Sequence, residues 1–327
     1  MRIAVVGAGL AGLSFAHFLH HKADLILFEK SRGVGGRLAT RRTGDTHFDH
    51  GAQFFTCRSD ILQALIDDED FSGDVSIWSP KVMALCRGEK PFKRDWFEPH
   101  YVGCPSMTSL PKRMAQDFDV KLETRVEEIS KSGNGWQLST ETGATLGNFD
   151  WVVAAMPAPQ VNTLFKSQFA HQAQIESAIM SPCFSLMLKL KATPEFNFDA
   201  AVVRESPVAW IANNCSKPGR NAASALLIHS SNDWAKEHLE DSQEDIKAML
   251  LTALMELVPL QTSDIEDTGL HRWRYAKVET EVGEDFLIDE SAQLAAIGDW
   301  CAGNRAEDAF LSGAALARHM HSLALAD

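Results

Sequence analysis

Three glycines near the start of the chain, Gly7, Gly9 and Gly12, fall in the run Gly7-Ala8-Gly9-Leu10-Ala11-Gly12, a spacing suited to holding a phosphate. Gly7 permits a tight turn, Gly9 lets backbone approach a pyrophosphate, and Gly12 lets a helix pack closely on a strand. A helix opening at Leu10 and Ala11 would aim its free N–H groups at the anion. Glu29 follows at the place where a carboxylate accepts hydrogen bonds from a ribose diol. These residues specify a dinucleotide and leave NAD and FAD both open. The next run, Lys30-Ser31-Arg32-Gly33-Val34-Gly35-Gly36-Arg37, turns the reading toward FAD. Its glycines bring backbone near a ligand, and Lys30, Arg32 and Arg37 neutralise phosphate charge.

The positioning elements are legible around these residues. Residues 3–6 are a short β-rich apolar run, as for a strand buried on both faces. A helix runs to His20, and residues 25–28 form a second strand ending at Glu29. A lone glycine motif arises by chance; the order strand, turn, helix, strand, acid gives this one weight. Further on, Ser132-Gly133-Asn134-Gly135 is a strong turn signal. It supports a small antiparallel sheet between about 120 and 156, with strands at 120–129, 136–140 and 150–155. Met156-Pro157-Ala158-Pro159 stops the last of these. Residues 294–297 read as a short strand, and a helix spans about 305–323. Ala306, Ala309, Phe310, Gly313, Ala317 and Met320 give that helix one packed face, with Glu307 and Asp308 in its first turn.

Composition narrows the classes. The 327 residues suggest two domains, with 45% hydrophobic and 23% charged residues. The net charge is −13 with no long basic block, which removes the electrostatic driver for nucleic acid. The six cysteines form no C-x-x-C pair and no metal-ligand spacing, so no metal is expected. They read as reduced thiols of a cytoplasmic protein. The apolar N-terminus is interrupted by the glycines and reads neither as a signal peptide nor as a membrane span.

The run from Glu29 to Arg37 resembles the second-strand signature of the glutathione-reductase-like flavoproteins in their amine-oxidase branch. Gly36-Arg37-Leu38-Ala39-Thr40-Arg41-Arg42 and Phe48-Asp49-His50-Gly51-Ala52-Gln53-Phe54-Phe55-Thr56 narrow the likeness to the renalase family, particularly its bacterial members. Tyr101-Val102-Gly103-Cys104-Pro105-Ser106-Met107, His271-Arg272-Trp273-Arg274-Tyr275-Ala276 and Gly298-Asp299-Trp300 fit as well. The resemblance implies an α/β fold: a Rossmann-like FAD-binding domain with a β-meander, plus an inserted α+β substrate domain, in the p-hydroxybenzoate hydroxylase/amine-oxidase topology. The expected FAD domain comprises 1–58, 104–160 and 288–327, and the substrate domain 59–103 and 161–287.

By the same resemblance, Arg37 approaches the FAD pyrophosphate, Val126 offers backbone to the adenine, and Asp299 after Gly298 contacts the ribityl or phosphate region. Gly51, Ala52, Gln53 and Phe54 lie near the flavin, and backbone at Ala309 and Phe310 faces its ring. There the positive end of the last helix can stabilise negative charge on the flavin. No cysteine stands where monoamine oxidases attach their flavin, so FAD is expected to be non-covalent. Lys277 is a candidate only by residue type for the lysine that many amine oxidases place near the flavin.

Substrate contacts are sought on the strand expected at 271–275, where His271, Trp273 and Tyr275 share one face and Arg272 and Arg274 the other. The aromatic face can stack on a nicotinamide and an arginine can meet phosphates; an ordinary core-facing aromatic row reads equally well. Phe54, Phe55, Thr56 and Trp300 are further candidates, with Phe54 and Phe55 reading equally well as ordinary core. His229, Asn232 and Trp234 are candidates too, though a polar turn capping a helix near Trp234 is the plainer account of these three. No side chain is assigned a catalytic role, because a dihydropyridine gives its hydride directly to a flavin. The resemblance implies oxidation of 2- or 6-dihydro-NAD(P) isomers to NAD(P)+, with O2 as the second reactant and hydrogen peroxide as product. An amine oxidase or desaturase, and a flavin-binding sensor without turnover, are the competing readings.

Overall fold

The computed structural model describes residues 1–192, 196–220 and 224–326. A six-stranded sheet runs in the order Leu287–Asp289, Leu294–Ala296, Trp151–Ala154, Arg2–Val6, Asp24–Phe28, Asp119–Lys121. All neighbours are parallel except the first pair. Side chains alternate across a strand, and Arg2–Val6 shows the consequence. Ile3 and Val5 join Leu13, Phe15 and Phe310 in one core, while Ala4 and Val6 join Trp136, Leu138 and Phe149 in another. A layer of helices covers one face and a three-stranded meander the other. Both layers exclude water, so the strands read as continuous apolar runs.

The helical layer pairs the two ends of the chain. Helix Leu10–Leu19 crosses helix Ala306–Ala326 so closely that a Cβ on Gly313 would lie 2.2 Å from the Ala11 carbonyl oxygen. Ser14 Oγ donates to the Phe310 carbonyl at 2.7 Å across the same contact.

The meander is Glu128–Ser132, Gly135–Ser139 and Thr145–Phe149, all antiparallel. Two expectations are corrected here. The single strand at 120–129 is two: Asp119–Lys121 edges the parallel sheet, and Glu128–Ser132 opens the meander. Between them Glu123 turns at φ 52°, and the Glu123 and Thr124 amides bond to Ser31 and Glu29. The strand expected at 150–155 is Trp151–Ala154, which pairs with Arg2–Val6 and leaves the meander. Apolar pattern identifies a strand and is silent on its partner.

A second, seven-stranded sheet runs Ile265–Thr280, Ile179–Leu190, Ala225–Ser230, Val208–Asn213, Ala200–Arg204, Val82–Cys86, Phe92–Arg94. Its strands come from two separated stretches of chain. Phe184, Leu186 and Leu188 face helix Gln243–Met255 through Ile246, Leu250 and Leu254. Ser242 caps that helix by accepting from the Asp245 amide. Ser185 and Met187 face the other way, toward the first sheet's domain, where Ser185 Oγ reaches His50 and Met187 packs with Phe48.

Candidate active site

One continuous cleft of about 1800 Å³ joins the two sheets. At its nucleotide end the glycines divide their work by geometry. A Cβ on Gly7, at φ 111°, would lie 2.4 Å from the Ala155 carbonyl oxygen, and one on Gly12 would lie 2.2 Å from Gly7's own. Both positions are set by close backbone packing. A Cβ on Gly9 would meet nothing within 4 Å, so this glycine faces open cleft. Gly9 also precedes the first helix without a side-chain cap, leaving N–H donors for a ligand.

Glu29, almost fully buried, accepts from the Ala8 amide at 3.0 Å and the Ser31 amide at 2.8 Å, which fixes the turn after each strand. Its carboxylate keeps acceptor capacity beyond these two bonds. Arg37 and Asp299, 262 positions apart, meet in a two-pronged pair at 2.7 and 2.6 Å, and Arg37 also reaches the Ala276 carbonyl at 3.3 Å. Burial works against the Arg37 cation, but the Asp299 carboxylate outweighs it and raises its pKa. This pair closes one wall of the cleft with residues from both ends of the chain.

The other end is built across four strands. Ser185 is paired with His229 on one side and His271 on the other, and Trp210 pairs with His229. His271, Ser185, His229 and Trp210 therefore form one rung of the second sheet. The His50 carbonyl is fastened to this rung: it accepts from Ser185 Oγ at 2.6 Å and Trp273 Nε1 at 2.9 Å, with His229 Nε2 at 3.3 Å. His50 stacks on Trp273 at 5.2 Å and meets His271 edge-on at 4.9 Å. Burial pushes His50 down to about 4, with His271, Arg41 and His229 adding to it, and burial likewise pushes His229 down to about 4. His271 is lowered by burial and by Arg41. These imidazoles are neutral at neutral pH.

Beneath the Gly51–Phe54 wall lies a buried ionic cluster. Asp49 takes Lys217 Nζ at 3.3 Å, Arg220 at 2.6 and 3.1 Å, Thr40 Oγ1 at 2.7 Å and the Met107 amide at 3.0 Å. Burial alone would raise Asp49, but Lys217 and Arg220 hold it well below the usual carboxylate range. Burial lowers Lys217 to about 8 against the pull of Asp49. Lys217 also donates to Gln53 Oε1 at 3.2 Å, so the cluster braces the cleft wall from behind. The loop carrying both cations passes close to the next one, since a Cβ on Gly219 would lie 2.5 Å from Cys104 Sγ.

Of the nucleotide-site residues expected from sequence, all line the cleft except Gly12 and Phe310, which lie behind it in packing contacts. Of the substrate candidates, His229, His271, Trp273 and Tyr275 line it. Phe55 and Thr56 do not: Phe55 points into the core and stacks on Tyr101. Trp300 borders the cleft but is fully buried, its indole N–H tied to the Met156 carbonyl at 3.0 Å. Asn232 lines the cleft and bonds the Pro182 carbonyl, while Trp234 packs on Phe184 and His238 outside it. Arg272 and Arg274, read as phosphate ligands, are engaged by Glu240 and the Asp241 carbonyl. Lys277 is exposed on the cleft rim. The sequence reading missed His50, Trp210, Asp49, Lys217 and Arg220. Asp49 and His50 lie inside the Phe48–Thr56 segment that carries the resemblance; nothing local marks Lys217 or Arg220 as buried.

Residues 98–321 match the family model for flavin containing amine oxidoreductases, and residues 5–68 match an NAD(P)-binding Rossmann-like domain. The chain belongs to the flavin-containing amine oxidoreductase family and is a flavin-dependent oxidoreductase. Within it the chain is renalase-like: it is 25% identical to renalase of Mus musculus over 311 residues, spanning 86% of this chain and 87% of that one. A prenylcysteine oxidase 1-like protein of Bos taurus is 41% identical over 69 residues, which is 20% of this chain and 14% of the other. The fold is that of a solved putrescine oxidase bound to putrescine (TM-score 0.73, 13% identity, 98% of this chain and 99% of that one). No helix among the described residues is long and apolar enough to cross a membrane.

The residues present fit a flavin nucleotide. Open backbone at Gly9, an uncapped helix start and a cation-rich wall suit its phosphates, and the cleft continues past Ala309 and Asp299 to the aromatic rung.

Proposed function

We propose that this enzyme binds FAD non-covalently and oxidises 2- or 6-dihydro-NAD(P) isomers to NAD(P)+. The observation that carries the reading is the charge of the cleft. In a chain of net charge −13, the cleft is lined by 11 basic residues and only three acidic ones among the described residues. Those acids are Glu29, Glu127 and Asp299; Glu29 bonds two amides, and the other two pair with Arg125 and Arg37. A protonated amine finds no free carboxylate here, whereas a phosphate-bearing dinucleotide finds cations.

In this reading residues 1–58, 104–160 and 288–327 form the FAD domain, and 59–103 with 161–287 the substrate domain. Glu29 serves the adenosine ribose, Val126 the adenine, and Arg37 the pyrophosphate with N–H groups not used by Asp299. Cys183 lines the cleft, but burial pushes its thiol up to about 11, which suits it poorly to attach a flavin. All six cysteines are thiols outside any disulfide, which supports a reducing, cytoplasmic setting.

Bound FAD would supply a two-electron acceptor for the substrate's hydride and a route from it to O2, which with one further proton from solvent would leave as hydrogen peroxide. The chain's own part is placement. Trp273 and Tyr275 offer flat surfaces for the dihydropyridine ring, and neutral His50, His229 and His271 leave the developing pyridinium without a neighbouring imidazolium. No base is required, because loss of hydride alone makes the ring aromatic.

The test is to release and identify the bound flavin, then incubate the protein aerobically with each isomer and with simple amines. FAD in the supernatant, and NAD(P)+ and hydrogen peroxide formed in equal amounts from the isomers, are expected. Peroxide from amines and none from the isomers would replace this reading with amine oxidation.

A further inference from the structure

Arg41, Arg42 and Lys112 on the cleft rim make no ion pair with any described residue, and neither do Lys30, Arg32 and Lys277 elsewhere along the cleft. Arg41 and Arg42 are neighbours on strand Arg41–Thr43, and Lys112 stands on helix Ser109–Met114; all three are exposed and line the cleft. Acids outnumber bases in this chain, 44 to 31, and some exposed arginines meet carboxylates, as Arg58 meets Glu98 and Arg274 meets Glu240. No hydrogen bond or ion pair joins the side chains of Arg41, Arg42 or Lys112 to any described residue. Of the acids in the hairpin and the adjoining strand, Asp45 and Glu266 pair with Lys189 at 3.2 and 3.0 Å, while Asp267 lines a small cavity with Arg41 without forming an ion pair with it.

Position adds to charge. Strand Arg41–Thr43 pairs with Thr46–Phe48, two residues before His50, which stacks on Trp273. Arg41 therefore stands beside the aromatic rung, and its charge helps to lower both His50 and His271. On the other side, burial lowers Lys112, with Arg42 adding to it. Like charges gathered at one rim repel until an anion arrives.

We infer that Arg41, Arg42 and Lys112 form an anion subsite that takes the phosphates of the nucleotide half of the substrate. The inference rests on the dinucleotide reading above and names the residues that would select it. It also replaces Arg272 and Arg274, whose guanidinium groups are already engaged. Arginine suits the task because its planar fork matches phosphate oxygens.

The test uses the flavin-loaded protein and the Arg41→Gln/Arg42→Gln double variant, with Lys112→Gln as a separate variant. NAD+, ADP-ribose and phosphate-free nicotinamide riboside are titrated in, and the flavin absorbance is followed, with calorimetry as a second readout. The subsite predicts that the double variant keeps its flavin and melting temperature but binds NAD+ and ADP-ribose about 10- to 100-fold more weakly. Binding of the riboside stays unchanged, and rising salt weakens NAD+ binding in the parent but not in the variant. Unchanged NAD+ and ADP-ribose affinity in the variants would overturn the subsite. So would loss of flavin, which would place these cations on FAD. If the parent fails to oxidise the isomers while ADP-ribose binding still depends on Arg41 and Arg42, the subsite stands and the reaction assignment falls.

Discussion

The two ends of the cleft are made differently. The nucleotide end is made of backbone: glycines where a Cβ would strike a carbonyl or intrude on a ligand, and a helix start with free N–H groups. The substrate end is made of side chains, held in place by a sheet rung and by a buried ionic cluster. A backbone site recognises what every flavin nucleotide shares, its phosphates. A side-chain site sets which second molecule is admitted. Changes to the first should remove the cofactor, and changes to the second should leave the cofactor and alter the substrate.

The largest effect is expected from Asp49→Ala. It leaves Lys217 and Arg220, both buried, without their carboxylate, a loss of about 3–5 kcal/mol. Urea unfolding measures it; a loss under about 1 kcal/mol would mean that the cluster does not brace the wall. Acid comes next. His50 and His229 are held near 4 by burial, against 6.5 in the unfolded chain, so the unfolded state binds more protons between those values. Their contribution is constant above pH 6.5. As pH falls from 6.5 toward 4, stability is lost at roughly 1.4 kcal/mol per pH unit for each histidine. Thermal melts of the His50→Phe variant should show a shallower slope over that window.

Two alanine substitutions at glycines then separate packing from ligand contact. Gly12→Ala drives a methyl into the Gly7 carbonyl and should cost about 1–3 kcal/mol, together with bound flavin. Gly9→Ala meets nothing in the protein, so melting of the flavin-free form should stay unchanged while flavin affinity falls. Equal destabilisation by the two would erase the distinction. The smallest effect is Trp273→Phe, which removes the bond to the His50 carbonyl at a cost of about 1 kcal/mol. The flavin bound per mole of protein should be unchanged, with slower reduction by substrate.

The same contrast explains what could be read in the sequence. The Gly7–Gly12 run, Glu29 and Arg37 are legible because each acts over a few residues of local backbone. The strand at 265–280 was partly legible, since His271, Trp273 and Tyr275 alternate on one face. What sets them beside His229 and Trp210 is strand register between segments far apart in the chain, which no local pattern encodes. Lys217 and Arg220 lie in a Pro-Gly loop whose composition reads as solvent-exposed; only the arrival of Asp49, 168 positions away, makes their burial tolerable. Asp299 was found through resemblance, yet its bond to Arg37 spans nearly the whole chain. The split of 120–129 between two sheets was lost for the same reason, because partner choice is a tertiary matter.

In the proposed reading, a backbone-held flavin faces a cationic, aromatic chamber suited to a dihydronicotinamide dinucleotide. Anaerobic rapid mixing of the flavin-loaded protein with 6-dihydro-NAD, and separately with putrescine or benzylamine, tests it most directly through the flavin absorbance band. Fast bleaching by the dihydronicotinamide and none by the amines is expected; fast bleaching by an amine with no response to the isomer would overturn the reading.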